Sequence, residues 1–336
     1  MESHTNADLG GIYLNTKIMF IICYYGSFPE WMDLWLLSCQ HNPNFNFTIV
    51  TDLPLQHLPD NVHILPLTMN ELRQRFTHIL GFEAALSNPY KLCDYKPLYG
   101  LAFQKELAGY DFWGHCDIDL IWGDLGKFIT DELLGQFDRI GKYGHLTLYR
   151  NSEKINRLFM LSGSAFPYDV VFKDEHHYGF DEITGLNLIC DKNGVPYYQG
   201  LQIADANWLL SRVSAHAANT TAEVYFWRDG KVYRAYQWGD NEYRLTEYAY
   251  LHFQKKHPRY DPEQNYENGF LIQSTKFKPF SEPIFLNLIQ SESEFYSNLH
   301  DRMDLIHGQR KRIKNILFTK SWHEKKILLK KAIALL

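Results

Sequence analysis

The sequence predicts an α/β domain: a mixed, mainly parallel sheet flanked by helices, followed by a helical, basic C-terminal extension. Three observations predict it. Apolar, β-branched and aromatic runs alternate with stretches of helical period in the order strand, helix, strand, strand, helix, helix, strand, the rhythm of a parallel sheet. Of the 336 residues, 45% are hydrophobic and 22% charged, enough for a sizeable core. From Asp301 onward ten Lys/Arg stand against three Asp/Glu and interleave with isoleucine and leucine, whereas the whole chain carries a net charge of −5.

Each element has a local reason. KIMFIICYY, residues 17–25, is a buried strand by its β-branched and aromatic content. PEWMDLWLLSCQHN takes up a helical period after Pro29, with Trp31, Leu34 and Trp35 on one face. NFTIVTD is a second strand ending at Thr51 and Asp52, and NVHILPL a short third. MNELRQRFTHILG is a helix closed by Gly81, and KPLYGLAFQKELAGY another, from near Pro97 to Gly109. The strand YDFWGHCDIDL follows at once. Ligands of such sheets bind beyond the carboxyl ends of the strands. Tyr24, Tyr25 and Gly26, Thr51 and Asp52, and Asp117 with Asp119 should therefore meet in one crevice.

Asp117 and Asp119 interrupt an apolar, aromatic run, where carboxylates are costly unless a positive charge neutralises them. Two carboxylates at i and i+2 on a strand end suit a shared Mg2+ or Mn2+, which prefers oxygen ligands and keeps positions open for phosphate. Five scattered cysteines with no CxxC pair argue against a disulfide framework and a structural zinc site. The polar start, MESHTNADLGG, shows no signal peptide, and IMFIICYY is too short to span a bilayer, so a reducing, cytoplasmic location is expected. An acidic body with a basic tail does not suit a general nucleic-acid binder.

The segment KLCDYKPLYGLAFQKELAGYDFWGHCDIDLIWGDL resembles the helix-then-DxD region of GT-A-fold glycosyltransferases, of the bacterial polysaccharide and lipopolysaccharide-biosynthesis type. Asp94 and Lys96 stand where that family has an aspartate and a basic residue at the head of a helix; Gly109 marks the turn, and Asp117-Ile118-Asp119 the DxD. The likeness runs over roughly residues 17–260. It implies a nucleotide-diphosphate-sugar donor, a UDP-sugar favoured, with Tyr24, Tyr25 and Gly26 against the nucleotide and Asp52 near the base. Asp94 would belong to the donor site, and Lys96 would approach ribose, sugar or phosphates. Asp117 would face the ribose or sugar side, sharing the metal with Asp119, the direct ligand. Lysine in place of the more usual arginine, and a single glycine at the turn, leave base and sugar open.

The family often adds a histidine from a late segment. EYAYLHFQKKHPRY supplies His252, with Lys255 and Lys256 beyond it to neutralise the leaving phosphate and His257 as a weaker neighbour. His115 is expected to be buried. HHYGFDEITGLNLI offers Asp181, preferred, and Glu182 as the carboxylate that takes the acceptor hydroxyl's proton in an inverting reaction, with Asp205 in IADANW weaker. An acidic helix N-terminus is the plainer reading of that pair.

The expected organisation is a flexible N-terminus (1–16), a catalytic domain (17–280, with 17–125 the nucleotide-binding half and 126–280 the acceptor and metal-completing half) and the basic extension (281–336). Residues 309–336 would either pack on the domain or dock on an anionic membrane, each Lys/Arg favouring the latter by roughly 1 kcal/mol. The acceptor would be a glycan or glycolipid. Two other readings compete. A non-catalytic binder of carbohydrate or nucleotide sugar could keep a degenerate transferase fold. A haloacid-dehalogenase-type phosphatase also starts from D-x-D, but Leu120, Ile121 and Trp122 stand where its small residues and threonine belong.

Overall fold

The computed structural model describes residues 14–207, 210, 213–214, 223–238 and 242–282, with scattered positions between 303 and 330. Residues 1–13, and most of the 281–336 extension, lie outside the described residues. Of the expected flexible start, residues 15 and 16 are held: the backbone N–H groups of Asn15 and Thr16 donate to the Asp131 carboxylate.

The strands are β1 (Ile18–Cys23), β2 (Phe45–Thr51), β3 (Val62–Pro66), β4 (Phe112–Cys116), β5 (Leu120–Trp122), β6 (Arg139–Tyr143), β7 (Leu146–Arg150) and β8 (Tyr197–Tyr198). They continue with β9 (Ala204–Asp205), β10 (Glu223–Arg228), β11 (Lys231–Trp238), β12 (Glu242–Tyr248), β13 (Tyr250–His252), β14 (Phe270–Ile272) and β15 (Phe277–Pro279). A seven-stranded sheet runs in the order β3, β2, β1, β4, β7, β6, β8. Its first four strands are mutually parallel, β7 is antiparallel to both neighbours, and β6 is parallel to β8. The fold is thus mixed α/β with a largely parallel main sheet. That sheet continues across the boundary expected at residue 125, since β4 pairs with β7.

Alternation along β1 sends Met19 and Ile21 to one face, with Leu72, Phe76 and Tyr95, and Phe20 and Ile22 to the other, with Trp35, Phe47 and Trp122. Helix α1 (Met32–Gln40) covers the second face and α2 (Met69–Leu80) the first. A capping box between Thr68 and Glu71 starts α2, and Gly81 ends it at φ 73°, the left-handed conformation glycine adopts at least cost.

The continuous helix expected from Pro97 to Gly109 is not formed. A 3-10 turn (Lys96–Leu98) and one α turn (Tyr99–Ala102) are followed by turns. Tyr99, Gly100, Leu101 and Ala102 are all buried, so this turn has no solvated face, and a Cβ on Gly100 would lie 2.7 Å from the Trp113 ring. Packing against the sheet overrides the period. Nor did the period foretell the second sheet, five antiparallel strands in the order β12, β11, β10, β14, β15.

A third, three-stranded sheet in the order β5, β13, β9 matters most for the site. In the extension, Ile327 is buried in the same apolar cluster as Val171 and Phe172, and Lys330 Nζ donates to the Ala165 carbonyl. At these positions the tail lies on the domain. Among the described residues, no helix is long and apolar enough to cross a membrane.

Candidate functional site

A cavity of about 750 Å³ opens beyond the carboxyl ends of β1 and β4, with walls that include Tyr24, Tyr25, Lys96, Asp117 and Asp119. This is where strand order turns, β2 lying on one side of β1 and β4 on the other. After β1 the chain swings through Gly26 at φ 108°. Tyr24 stacks on Phe28 with ring centroids 5.4 Å apart, and the Tyr25 hydroxyl donates to the Leu67 carbonyl. Both tyrosines are therefore fixed walls.

The aspartate pair begins where β4 stops. The Asp117 N–H donates to the His145 carbonyl, and the Phe253 N–H donates to the Asp119 carbonyl. The antiparallel register of β5 with β13 sets His252 opposite Leu120, beside Asp119, while the parallel register of β13 with β9 sets it opposite Asp205. Consequently His252 Nε2 lies 3.4 Å from Asp119 Oδ1 and its Nδ1 lies 2.9 Å from Asp205 Oδ1. Ligand atoms of Asp117, Asp119 and His252 all fall within 4.8 Å of one another, and so do those of His145, Asp205 and His252.

The charges are arranged in two pairs. Lys96 Nζ donates to Asp117 Oδ1 at 2.6 Å and to the Gly144 carbonyl at 2.8 Å, and lies 3.6 Å from Asp181 Oδ2. Burial works against the ammonium, but the groups around it, the Asp117 carboxylate first among them, outweigh burial and hold Lys96 charged. Burial likewise opposes the Asp117 carboxylate, and Lys96 and His252 outweigh it. For His252, burial would favour the neutral ring, yet hydrogen bonds to Asp119 and Asp205 raise its pKa to about 10. His145 stacks on His252 with centroids 4.2 Å apart; burial and the neighbouring imidazolium push its pKa down to about 3. Its Nδ1 meets the Tyr250 hydroxyl at 2.9 Å, and its Nε2 has no hydrogen-bond partner among the described residues.

Not every expected residue joins the crevice. Asp94 is buried elsewhere: it pairs with Lys91 and accepts the backbone N–H groups of Tyr178, Gly179 and Phe180, so its place is in holding that loop. Asp52 is exposed outside the cavity wall. Lys255 is exposed, and Lys256 is buried with Nζ donating to the Leu210 carbonyl; neither lines the cavity. Asp181 is buried behind Lys96, and burial, partly opposed by Lys96, pushes its carboxyl well above the usual range. Glu182, half-buried, accepts the Gly144 N–H at 2.9 Å. His115 is fully buried, as expected.

Sequence reasoning missed several wall residues: Arg259 and the exposed Tyr90, and the indole of Trp31. The one available signal was HPRY, a basic and aromatic run next to the lysine pair already singled out. His145 lacked any signal, because only the β6–β7 hairpin brings it to His252.

The family described as "Family of unknown function (DUF6625)" matches residues 20–281. No curated protein matches the chain. Among solved structures, a crystal structure of galactosyltransferase LgtC in complex with donor and acceptor sugar analogs is similar at 10% identity. That likeness covers 56% of this chain and 75% of that one with a TM-score of 0.33, too slight to identify the fold.

Proposed function

The chain belongs to this family of unknown function, and from its crevice we propose a metal-dependent glycosyltransferase of GT-A type. It would move a hexose from a nucleotide-diphosphate sugar, a UDP-sugar favoured, to a glycan or lipid-linked acceptor in surface-polysaccharide assembly. One observation carries this reading: Asp117, Asp119 and His252, drawn from two distant segments, bring their ligand atoms within 4.8 Å of one another, and both aspartates line a ligand-sized cavity.

The donor set fits Mn2+ or Mg2+, since two carboxylates and one imidazole are an oxygen-rich shell. Asp119 and His252 would hold the cation, with Asp117 completing it. Asp205 fixes the His252 ring through Nδ1, the outer partner a metal-bound histidine usually has. When bound, the cation would offset the diphosphate charge and stabilise it as a leaving group. Lys96 already neutralises Asp117, which leaves Asp119 the stronger ligand and supports placing Asp117 toward the ribose or sugar. Tyr24 and Phe28, stacked on one wall, offer an aromatic surface to the nucleotide, and Arg259 offers a charge to the phosphates. Asp181 and Glu182 remain the carboxyls proposed to take the acceptor's proton; Asp181 lies 3.6 Å from Lys96, and Glu182 accepts the Gly144 N–H.

The Lys96–Asp117 pair also favours a second reading, a metal-free binder of nucleotide sugars, in which the ammonium does the neutralising. Calorimetric titration with UDP and GDP, with and without manganese, separates the two when wild type is compared with Asp119→Ala. Manganese-dependent binding lost in Asp119→Ala, together with manganese-dependent breakdown of the matching sugar nucleotide, supports the enzyme. Binding that ignores manganese, with no turnover, supports the binder; absence of any binding overturns both.

A further inference from the structure

A second group of ligating side chains lies away from the crevice, in the loop that begins the HHYGF stretch. Asp174 Oδ1 is 2.8 Å from His176 Nδ1, and Asp174 Oδ2 is 2.9 Å from His323 Nε2. The two imidazole centroids are 4.7 Å apart, and the three ligand atoms lie within 4.8 Å of one another. His323 arrives from the C-terminal extension, where the buried Ile327 and the Lys330 bond to the Ala165 carbonyl seat the same segment on the domain.

We propose that Asp174, His176 and His323 form a zinc-class divalent-cation site that staples the C-terminal extension to the loop leading into Asp181. Such a site needs no transferase activity in the crevice. Three features support the site. Two imidazoles and one carboxylate are a donor set that suits zinc over magnesium or calcium, and tetrahedral zinc leaves a fourth position for water. The Tyr178 hydroxyl donates to Asp174 Oδ2 at 2.5 Å, an outer partner that fixes the ligand carboxylate. The loop is rigid before any cation binds: Lys91 Nζ donates to the His176 carbonyl at 2.6 Å, and Asp94 accepts three consecutive N–H groups just beyond. The scattered cysteines argued against structural zinc, but this site needs none.

The test uses chelator-treated full-length His252→Ala, which removes the imidazole shared by both crevice clusters. Titration with Zn2+ by calorimetry, and with Co2+ by visible absorption, should show one equivalent in a four-coordinate environment. Adding His323→Ala, at a half-exposed position, should leave the circular dichroism spectrum unchanged and weaken zinc binding by more than the roughly 10- to 100-fold that losing an outer partner costs. Tyr178→Phe should weaken it by roughly 10-fold. In wild type, His323→Ala should lower zinc uptake by one equivalent, which serves if His252→Ala folds poorly. Zinc affinity and stoichiometry unmoved by His323→Ala in both backgrounds, or no uptake in either, would overturn the site.

Discussion

Lys96 Nζ sits 2.6 Å from Asp117 Oδ1, so the first aspartate of the pair has its counter-charge supplied by the protein itself. Asp119 leans instead on His252, at 3.4 Å, a partner whose charge depends on pH. The two carboxylates, one residue apart, therefore have different chemistry. One is committed and the other is available.

Replacing Lys96 by methionine strands Asp117 without that charge. Removing one member of a buried pair costs roughly 3–5 kcal/mol, and the partial exposure of Asp117 places this case near the lower end, about 3 kcal/mol. Urea unfolding at neutral pH should show a lower midpoint at unchanged slope. A variant as stable as wild type would mean the pair contributes nothing.

His252 gives the metal-free protein a signed pH dependence. Its folded pKa of about 10 lies above the ordinary value of 6.5, so its contribution is complete below pH 6.5 and disappears as pH rises toward 10. The melting-temperature gap between wild type and His252→Gln, both treated with chelator, should be largest near pH 6 and close by pH 10. A gap that widens with pH contradicts the ion-pair geometry.

Asp205→Asn separates ring orientation from charge. Losing the outer carboxylate should lower manganese affinity at high pH by roughly 10-fold or more. Asp205 also helps keep the proton on His252, so the pH at which manganese first binds should move down in the variant. Calorimetry across pH 6–10 reads both effects. A purely structural Asp205 would produce neither.

Arg259→Gln tests the cationic wall. UDP affinity should fall by roughly 10-fold, or about 1.4 kcal/mol, and its salt dependence should flatten. Equal affinity and equal salt slope would remove Arg259 from the donor site.

The first four strands, both long helices and the aspartate pair were legible because each rests on local chemistry: β-branched runs, a helical period, a closing glycine, and carboxylates set among aromatics. His252 was also legible, since its strand-like approach is local. The partners were not. Asp205 meets His252 only through the register of β13 with β9, and His145 only through a hairpin fold-back, neither of which leaves a periodic trace. Asp94 read as a ligand because an acidic residue at a helix head suits either role, and its three N–H donors come from a loop more than eighty residues away. The antiparallel second sheet was legible and was missed: Asp229-Gly230, both at positive φ, is a two-residue hairpin turn between the aromatic and β-branched runs EVYFWR and KVYRAYQW.

The small sheet of β5, β13 and β9 has a kinetic consequence. It joins Leu120, Asp205 and His252, so the chain must close two long loops before the cluster exists. Non-local pairings of this kind form slowly, because loop-closure entropy is paid before the contacts reward it. The cation would then find its ligands assembled only late in folding. It would act as a lock on the finished molecule, prolonging the folded lifetime and leaving the rate of refolding untouched.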